Sequence, residues 1–357
     1  MPGQQVRYFE SFDGARIAYA ISGRGPPVVL MPSWLTHLEY QNRSVAWQPW
    51  LDELESRYTL VRYDPRGCGL SERDVSDLSF ETWVCDFEGL VEKLELEQFA
   101  SIGICQGGAV AIEYAERNPG RIGRLILYGA YARGRNRRSS PPLEPEKAKV
   151  MIEMIDLGWR ESDSAFMRSF ATQFQPEGSM EHLRSWCELQ QRAASAQNAV
   201  ELTRIMFEID VCRAAERITC PTLVAHGDRD AVAPVEEGRF LAQTIPNAIF
   251  LELDTPNHLM LRGEPAWRVF TEAMHEFLPT ATADKAEFTA LTRRENEVLH
   301  LVARGLDNHA IGARLSITEK TVRNHLSAIL DKLGSATRVE AVVRARDAGP
   351  VTASHNQ

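Results

Sequence analysis

The sequence lacks the features of a membrane-spanning or exported protein. No apolar run approaches the roughly 18 residues that a membrane helix requires. The first residues, MPGQQVRYFESFDG, contain neither the basic region nor the apolar region of a signal peptide. The six cysteines form no C-x-x-C pair and no metal-ligand spacing, so reduced thiols are expected, and no metal or other cofactor is predicted. These absences favour a cytoplasmic protein without a membrane partner.

Positive charge is scarce overall and unevenly distributed. The 357 residues carry a net charge of −9, with 40 Lys and Arg against 49 Asp and Glu. From Lys285 to the end, eleven basic residues face eight acidic ones, a net charge of +3, so the preceding part carries −12. An acidic body with a basic C-terminal part predicts that this part binds a polyanion. The length suits one large domain and one small domain.

Short apolar strands alternate with amphipathic helices up to about residue 130 and again over residues 221–278. This alternation predicts an α/β domain whose parallel sheet is covered by helices on both faces. Residues 133–210 lack strand patterns and are rich in Met, Phe and Trp, which favours a helical cap over a pocket. The alternative is that these aromatic side chains only form the core of the insert. Residues 279–290, PTATADKAEFTA, are small and polar and predict a linker.

The segment SIGICQGGAV, residues 101–110, joins a predicted strand to a predicted helix. Its G-x-C-x-G pattern is that of the strand-to-helix turn G-x-S-x-G, which exposes a serine nucleophile, with Cys105 in place of the serine. A thiol at a helix N-terminus beside an imidazole is expected to exist partly as thiolate. Cys105 is therefore either a sulfur nucleophile or a small side chain at the floor of a binding pocket.

With three further motifs, residues 1–278 resemble the α/β-hydrolase fold. The motifs are YDPRGCGLSE (63–72), AHGDRDAVAP (225–234) and TPNHLML (255–261). The resemblance implies an α/β-hydrolase fold with a helical cap and a triad of Cys105, Asp230 and His258, with Asp228 as an alternative acid. His258 would accept the proton of Cys105, and Asp230 would orient the imidazole.

The same resemblance implies an oxyanion site and a ligand pocket. The family usually has His-Gly after the strand that supplies one oxyanion donor, whereas this chain has Pro32 and Ser33 there. The backbone N–H groups of Trp34 and Gln106 are the predicted donors. A small apolar molecule is predicted to bind beside the cysteine. The candidate ligand-binding residues are Trp34, Cys105, Gln106, Trp159, Phe170 and His258.

Residues 291–350 form the second predicted domain, which is entirely helical. Thr292 and Glu295 have the spacing of a capping box at the start of a first helix. A short helix is predicted over 308–315, and Thr318 is the predicted N-cap of a third helix. The segment LTRRENEVLHLVARGLDNHAIGARLSITEKTVRNHLSAILDKLGSATRVEAVVRA resembles the LuxR-type helix-turn-helix throughout, which implies double-stranded DNA as a partner.

The third helix has one apolar and one polar face. The predicted buried stripe consists of Val322, Leu326, Ile329 and Leu333. On the opposite face, Arg323 and Asn324 are predicted to contact base edges in the major groove. The predicted phosphate contacts are Lys320, Thr321, Ser327 and Lys332. Because such domains bind two half-sites as symmetric pairs, a homodimer is expected.

The combination of the two domains predicts a bacterial transcription regulator that responds to a small-molecule effector. The alternative is an active Cys-His-Asp hydrolase of an ester, lactone or thioester that is fused to a DNA-binding domain. Two further alternatives depend on Cys105. It could capture an electrophilic effector covalently, or it could act as a redox sensor with Cys68 as the candidate resolving thiol.

Overall fold

The computed structural model describes residues 4–138, 144–159, 164–278, 291–303 and 306–332. The chain divides into two compact units, Met1–Leu278 and Pro279–Gln357. Within the described ranges, no helix is both long enough and apolar enough to span a bilayer.

One eight-stranded sheet forms the centre of the larger unit. Its strands are β1 (Gln5–Glu10), β2 (Arg16–Gly23), β3 (Pro27–Leu30), β4 (Thr59–Tyr63), β5 (Phe99–Ile104), β6 (Ile122–Tyr128), β7 (Thr222–Gly227) and β8 (Ile249–Leu253). They lie in the order β1-β2-β4-β3-β5-β6-β7-β8. The predicted parallel sheet is confirmed from β4 to β8, whereas β1 and β2 add an antiparallel edge.

The burial of the strands follows their position in the sheet. Every residue of β5 and β7 is buried, as expected for parallel strands covered by helices on both faces. In β1, at the edge, only Phe9 is buried. β1 has no clear signature in the sequence because an edge strand with exposed side chains has no apolar run.

Helices cover the sheet, and five of those in the described ranges lie between β6 and β7. The helices of this unit are α1 (Leu38–Gln41), α2 (Gln48–Glu55), α3 (Phe80–Lys93), α4 (Gln106–Arg117), α5 (Glu144–Gly158), α6 (Ala165–Phe174), α7 (Met180–Ala193), α8 (Ala196–Glu208), α9 (Cys212–Ala215), α10 (Val235–Thr244) and α11 (Pro265–Phe277). Within the insert, α5 packs against α6 and α8, and α6 packs against α7. The predicted helical cap is therefore confirmed.

The sheet brings three distant residues to one edge. The carboxyl ends of parallel strands lie at the same edge of a sheet, which is where α/β proteins bind ligands. Cys105 follows β5, Asp230 lies in the turn after β7, and His258 lies in the loop after β8. The topology alone therefore places these residues near one another.

The described part of the smaller unit contains α12 (Arg293–Ala303), α13 (Asn308–Leu315) and α14 (Glu319–Lys332). The predicted capping box is present. The backbone N–H of Thr292 donates to Oε2 of Glu295 at 2.6 Å, and the backbone N–H of Glu295 donates to Oγ1 of Thr292 at 3.3 Å. This reciprocal pair satisfies two N–H groups that a helix start leaves without intrahelical partners.

The remaining local predictions for this unit concern α14. Oγ1 of Thr318 accepts the backbone N–H of Thr321 at 3.2 Å, which is the predicted N-cap bond. Val322 and Ile329 are buried in the core of the unit, and Leu326 packs against them in part. Leu333, the fourth predicted member of the stripe, lies outside the described residues.

Candidate functional site

Cys105 occupies a sharp turn between β5 and α4. Its φ of +55° and ψ of −130° lie in a region that residues with a side chain rarely adopt, so the turn stores backbone strain. The residue is 1% exposed. A strained residue between a strand and a helix is the geometry that presents the nucleophile in the G-x-S-x-G turn.

The two glycines of the pattern allow the backbone around Cys105 to pack closely. A Cβ on Gly103 would lie 2.5 Å from Cα of Gly108, at the start of α4. A Cβ on Gly107 would lie 2.5 Å from the carbonyl oxygen of Pro32, in the loop after β3. Since neither contact can be relieved by turning a side chain, both positions require glycine.

Asp230 and His258 form a buried pair. Nδ1 of His258 lies 2.6 Å from Oδ2 of Asp230. Oδ1 of Asp230 accepts the backbone N–H groups of Val232 and Ala233 at 2.8 and 3.0 Å, so both carboxylate oxygens have partners. Asp228, the alternative acid, instead accepts the backbone N–H of Thr255 at 3.1 Å. The structure therefore places Asp230 against the histidine.

The charges at this pair favour an imidazolium. Burial disfavours the charged ring, but the carboxylate of Asp230 and the sulfur of Cys105 outweigh it and raise the pKa of His258 to about 10. Burial alone would also raise the pKa of Asp230, whereas the charge and hydrogen bond of His258 lower it. The pair thus has the charge distribution needed to balance a thiolate.

Nε2 of His258 is the nitrogen that remains for the thiol. It is buried and has no hydrogen-bond partner among the described residues. Cys105 is nevertheless close enough to contribute to the raised pKa of His258. The Phe174 ring packs edge-on against the imidazole, with 5.6 Å between ring centroids. With Nδ1 bound to Asp230 and Phe174 packed against the ring, Nε2 is the atom of His258 that can exchange a proton with Cys105.

The remaining motif residues form the scaffold of the site. Asp64 of the YDPRGCGLSE segment accepts the hydroxyl of Thr36 at 2.8 Å and the backbone N–H of Leu70 at 2.9 Å, which ties the loops after β3 and β4 together. Arg66 forms two hydrogen bonds to Asp86, at 2.8 and 2.7 Å. These groups fix the position of the loop that carries Trp34.

A narrow, mostly apolar cavity lies beside Cys105. Its volume is about 30 Å³, which is room for roughly two water molecules. The cavity is lined by Trp34, Cys105, Tyr131, Arg135, Arg138, Met151, Phe170, Gln173, Phe174, Thr203, Met206, Phe207 and Val232. A second small cavity shares Trp34 and Met206 with the first and is also lined by Gln106. Trp34 and Met206 thus form a partition between the two cavities.

The predicted ligand-binding residues fall into two groups. Trp34, Cys105 and Phe170 line the first cavity, and Trp34 and Gln106 line the second. Trp159 packs edge-on against Trp34, with 6.5 Å between ring centroids, and donates its indole N–H to the carbonyl of Ala194 at 3.0 Å. Neither Trp159 nor His258 is part of either lining.

Gln190 of α7 holds the partition in place. In the amide orientation that satisfies its neighbours, its side-chain oxygen accepts the indole N–H of Trp34 at 3.0 Å and that of Trp186. Gln190 is fully buried. Because α7 belongs to the cap, this bond connects the position of Trp34 to the position of the cap.

Three polar residues of the first cavity, Tyr131, Arg135 and Arg138, were missed in the sequence analysis. They lie in the segment between β6 and the cap, which contains the basic run RGRNRR. Nothing in the sequence assigns this run to a cavity, because a basic stretch is more often a solvated surface. No local pattern distinguishes the buried Arg135 and the half-buried Arg138 from the exposed Arg137 of the same run.

The two predicted oxyanion donors stay a prediction. Gln106 is the first residue of α4, so its backbone N–H has no acceptor inside the helix. Trp34 lies two residues after Pro32. The carbonyl oxygen of Pro32 lies against Gly107, in the first turn of α4. The loop after β3 therefore lies against the turn that carries Cys105 despite the absence of the His-Gly pair.

The candidate DNA-contacting residues lie on α14. Lys320, Arg323, Asn324 and Ser327 are exposed, and Thr321 is half-buried. The polar face thus lies opposite the buried Val322 and Ile329, as the spacing predicts. Lys332 differs from the rest because its Nζ binds both carboxylate oxygens of Glu295, at 2.9 and 2.7 Å. A phosphate contact by Lys332 would have to compete with this ion pair.

Comparison with known families matches both units. Residues 26–265 match the α/β-hydrolase fold family. Residues 289–345 match the luxR family of bacterial regulatory proteins. The two matches confirm the family resemblances found in the sequence.

Individual relatives share the larger unit. The chain is 26% identical over 241 residues to the AB hydrolase superfamily protein YisY of Bacillus subtilis, covering 66% of this chain and 86% of YisY. It is 25% identical over 242 residues to the pyrrolizixenacetamide deacetylase of Xenorhabdus hominickii, covering 68% of this chain and 87% of the deacetylase. An esterase from Exiguobacterium antarcticum shares the fold, with a TM-score of 0.65 and 22% identity over 76% of this chain and 99% of the esterase.

Proposed function

Because the chain belongs to the α/β-hydrolase fold family and also carries a LuxR-type DNA-binding domain, we propose that it is a transcription regulator controlled by a small molecule bound beside Cys105. The observation that supports this most is the small, mostly apolar cavity between Cys105 and the cap helices. Ligand pockets usually measure roughly 300–1,000 Å³, far more than the 30 Å³ found here. A ligand can therefore enter only if cap residues move, and such a movement gives bound and free protein different structures.

The residues around Trp34 connect the ligand to this movement. Trp34 lines both cavities, and its indole is bonded to Gln190 of the cap helix α7. A ligand that displaces Trp34 would merge the cavities and disturb the bond between Trp34 and Gln190 of α7. A ligand regulates only if it binds the two states with different affinity, and a pocket that must open meets this requirement.

We assign recognition of the DNA base sequence to α14. Arg323 and Asn324 would contact base edges, and Lys320, Thr321 and Ser327 would contact phosphates. Four of the five are exposed, and Thr321 is half-buried. A homodimer on two half-sites would place two copies of α14 in successive major grooves.

A second candidate function is thiol-dependent acyl hydrolysis, which the Asp230–His258 geometry favours. Sγ of Cys105 would attack the acyl carbonyl while its proton passes to Nε2 of His258 and then to the leaving group. The backbone N–H groups of Trp34 and Gln106 would hold the oxyanion. Water activated by His258 would then release the acid and restore the thiol.

Mass spectrometry of the full-length protein, together with an esterase assay, distinguishes ligand-controlled regulation from thiol-dependent hydrolysis. Under native conditions, a regulator that binds its effector without chemistry retains a small molecule, which denaturation releases. A stoichiometric mass increase on Cys105 that survives denaturation would instead indicate covalent capture. Turnover of a chromogenic ester that disappears in Cys105→Ala, with operator binding intact, would establish the hydrolase and contradict a purely sensory role.

A further inference from the structure

Two arginines, Arg135 and Arg138, line the first cavity, and none of its described lining residues is Asp or Glu. Arg135 is 8% exposed, and its guanidinium lies 5.7 Å from the centre of the Phe207 ring. The guanidinium of Arg138 lies 5.2 Å from the centre of the Tyr131 ring. Aromatic faces thus hold both cations at the wall of an otherwise apolar cavity.

The guanidinium of Arg138 is only partly satisfied. Its Nε donates to the carbonyl oxygen of Arg133 at 3.1 Å, which fixes the side chain. Its Nη1 is buried and has no hydrogen-bond partner among the described residues. A buried donor of a charged group without an acceptor costs free energy, and an anionic acceptor would recover it. Neighbouring arginines are satisfied differently, since Arg133 pairs with Glu237 at 2.8 Å and Arg137 with Glu208 at 3.0 Å.

We infer that the cavity binds a small apolar molecule through a carboxylate, which Arg138 holds while the apolar body lies against Trp34, Phe170 and Met206. This inference rests on the proposed ligand-binding role of the cavity and names the class of ligand. If the protein also hydrolyses acyl compounds, the substrate would be an ester, lactone or thioester that carries a separate carboxylate.

The test uses pairs of probes that differ only in charge. Phenylacetate and hexanoate are titrated against the full-length protein and compared with phenylacetamide and hexanamide, which have similar size and no charge. Because Trp34 lines both cavities, quenching or enhancement of tryptophan fluorescence reports binding directly, and isothermal titration calorimetry confirms it. We expect the carboxylates to bind and the amides to bind roughly tenfold to a hundredfold more weakly, as loss of a charged hydrogen bond implies.

Variants of Arg138 test whether this residue causes the preference for carboxylates. Arg138→Gln should remove the preference for carboxylates, and Arg138→Lys should retain part of it because the charge remains. Arg137→Gln is the matched control, since Arg137 is an exposed arginine of the same segment that does not line the cavity. A melting curve like that of the wild type establishes that each variant is folded.

Two outcomes overturn the inference, and a third separates it from the proposed function. Equal binding of acids and amides, or binding of neither up to the solubility limit, contradicts it. So does a carboxylate preference that Arg138→Gln leaves intact. If carboxylates bind in an Arg138-dependent way but never alter operator affinity, the inference holds and the proposed regulatory function fails.

Discussion

At the scale of single residues, Asp230 and His258 form a buried ion pair. The pKa of His258 is raised from 6.5 to about 10, so the stabilisation it provides is complete below about pH 6.5 and is lost as the pH rises through about 10. Asp230→Asn should lower the stability of the larger unit by roughly 3–5 kcal/mol near pH 6, because it leaves a buried group without its partner. The loss should shrink towards pH 10.

Urea unfolding followed by tryptophan fluorescence at several pH values measures this effect. All seven tryptophans lie within residues 1–278, so the signal reports the larger unit alone. Asp228→Asn is the matched control, since its carboxylate does not contact His258. A stability difference between wild type and Asp230→Asn that stays constant from pH 6 to above pH 10 would show that the pair is not charged as described.

A second residue-scale prediction concerns the close packing around Cys105. Gly107→Ala would place a Cβ 2.5 Å from the carbonyl oxygen of Pro32 and should destabilise the larger unit by about 1–3 kcal/mol. Gly263→Ala is the control, since nothing lies within 4 Å of its added Cβ. The melting temperatures of the two variants test this prediction. An equal decrease in melting temperature in both variants would contradict the close packing of Gly107 against Pro32.

The residues of the predicted triad could be found in the sequence, whereas the complete lining of the first cavity could not. Cys105, Asp230 and His258 could be found because each belongs to a motif with fixed spacing. Arg138 and Gln190 could not, because their roles arise from where the cap helices lie, which no local pattern specifies. Phe170 was found, whereas Trp159 packs behind Trp34 instead of lining the cavity.

At the scale of elements, the carboxylate of Glu295 caps the start of α12 and connects this helix to Lys332 of α14. Lys332 of α14 and the backbone N–H of Thr292 lower the pKa of Glu295 to about 2. The stabilisation is therefore present above about pH 4.5 and is lost as the pH falls through about 2. Glu295→Gln should destabilise this unit by about 1 kcal/mol at pH 7.

Hydrogen-exchange mass spectrometry on the peptide that covers α12 measures this change, because tryptophan fluorescence does not report the smaller unit. Exchange in α12 should be faster in Glu295→Gln than in Glu297→Gln, a control on the same helix. Equal protection in both variants would mean that the contact between α12 and α14 does not depend on Glu295.

A second element-scale prediction concerns the exposed face of α14. Arg323→Ala should weaken binding to the specific operator by about 1–3 kcal/mol and leave non-specific binding almost unchanged. Lys320→Ala should weaken both and reduce the salt dependence, as loss of a phosphate contact does. Electrophoretic mobility shifts at several salt concentrations distinguish the two patterns. An Arg323→Ala protein with full operator affinity would remove Arg323 from the base contacts.

The elements themselves were predictable to different degrees. The helices of the smaller unit followed from capping residues and periodicity, since short helices depend on local signals. β5 and β7 were evident as apolar runs, whereas β1 was not, because pairing with β2 and not burial holds it in the sheet. Lys332 looked like a phosphate contact in the sequence because its partner Glu295 is 37 residues away.

At the scale of the whole molecule, the proposed regulation couples the hydrolase-fold unit to the DNA-binding unit through the state of one cavity. This small cavity is lined by Cys105 and by the partition of Trp34 and Met206. Opening it must rearrange the cap because Gln190 bonds Trp34 to α7. The proposed regulation depends on a difference in ligand affinity between the open and closed forms.

The most direct measurement is the operator affinity of the full-length protein, by fluorescence anisotropy of a labelled duplex, with and without a small molecule that binds the cavity. We predict that the ligand changes the dissociation constant at least about fivefold, the lower end of typical allosteric coupling, and does so equally in Cys105→Ala. An operator affinity that stays constant while the cavity is shown to be saturated would contradict the account.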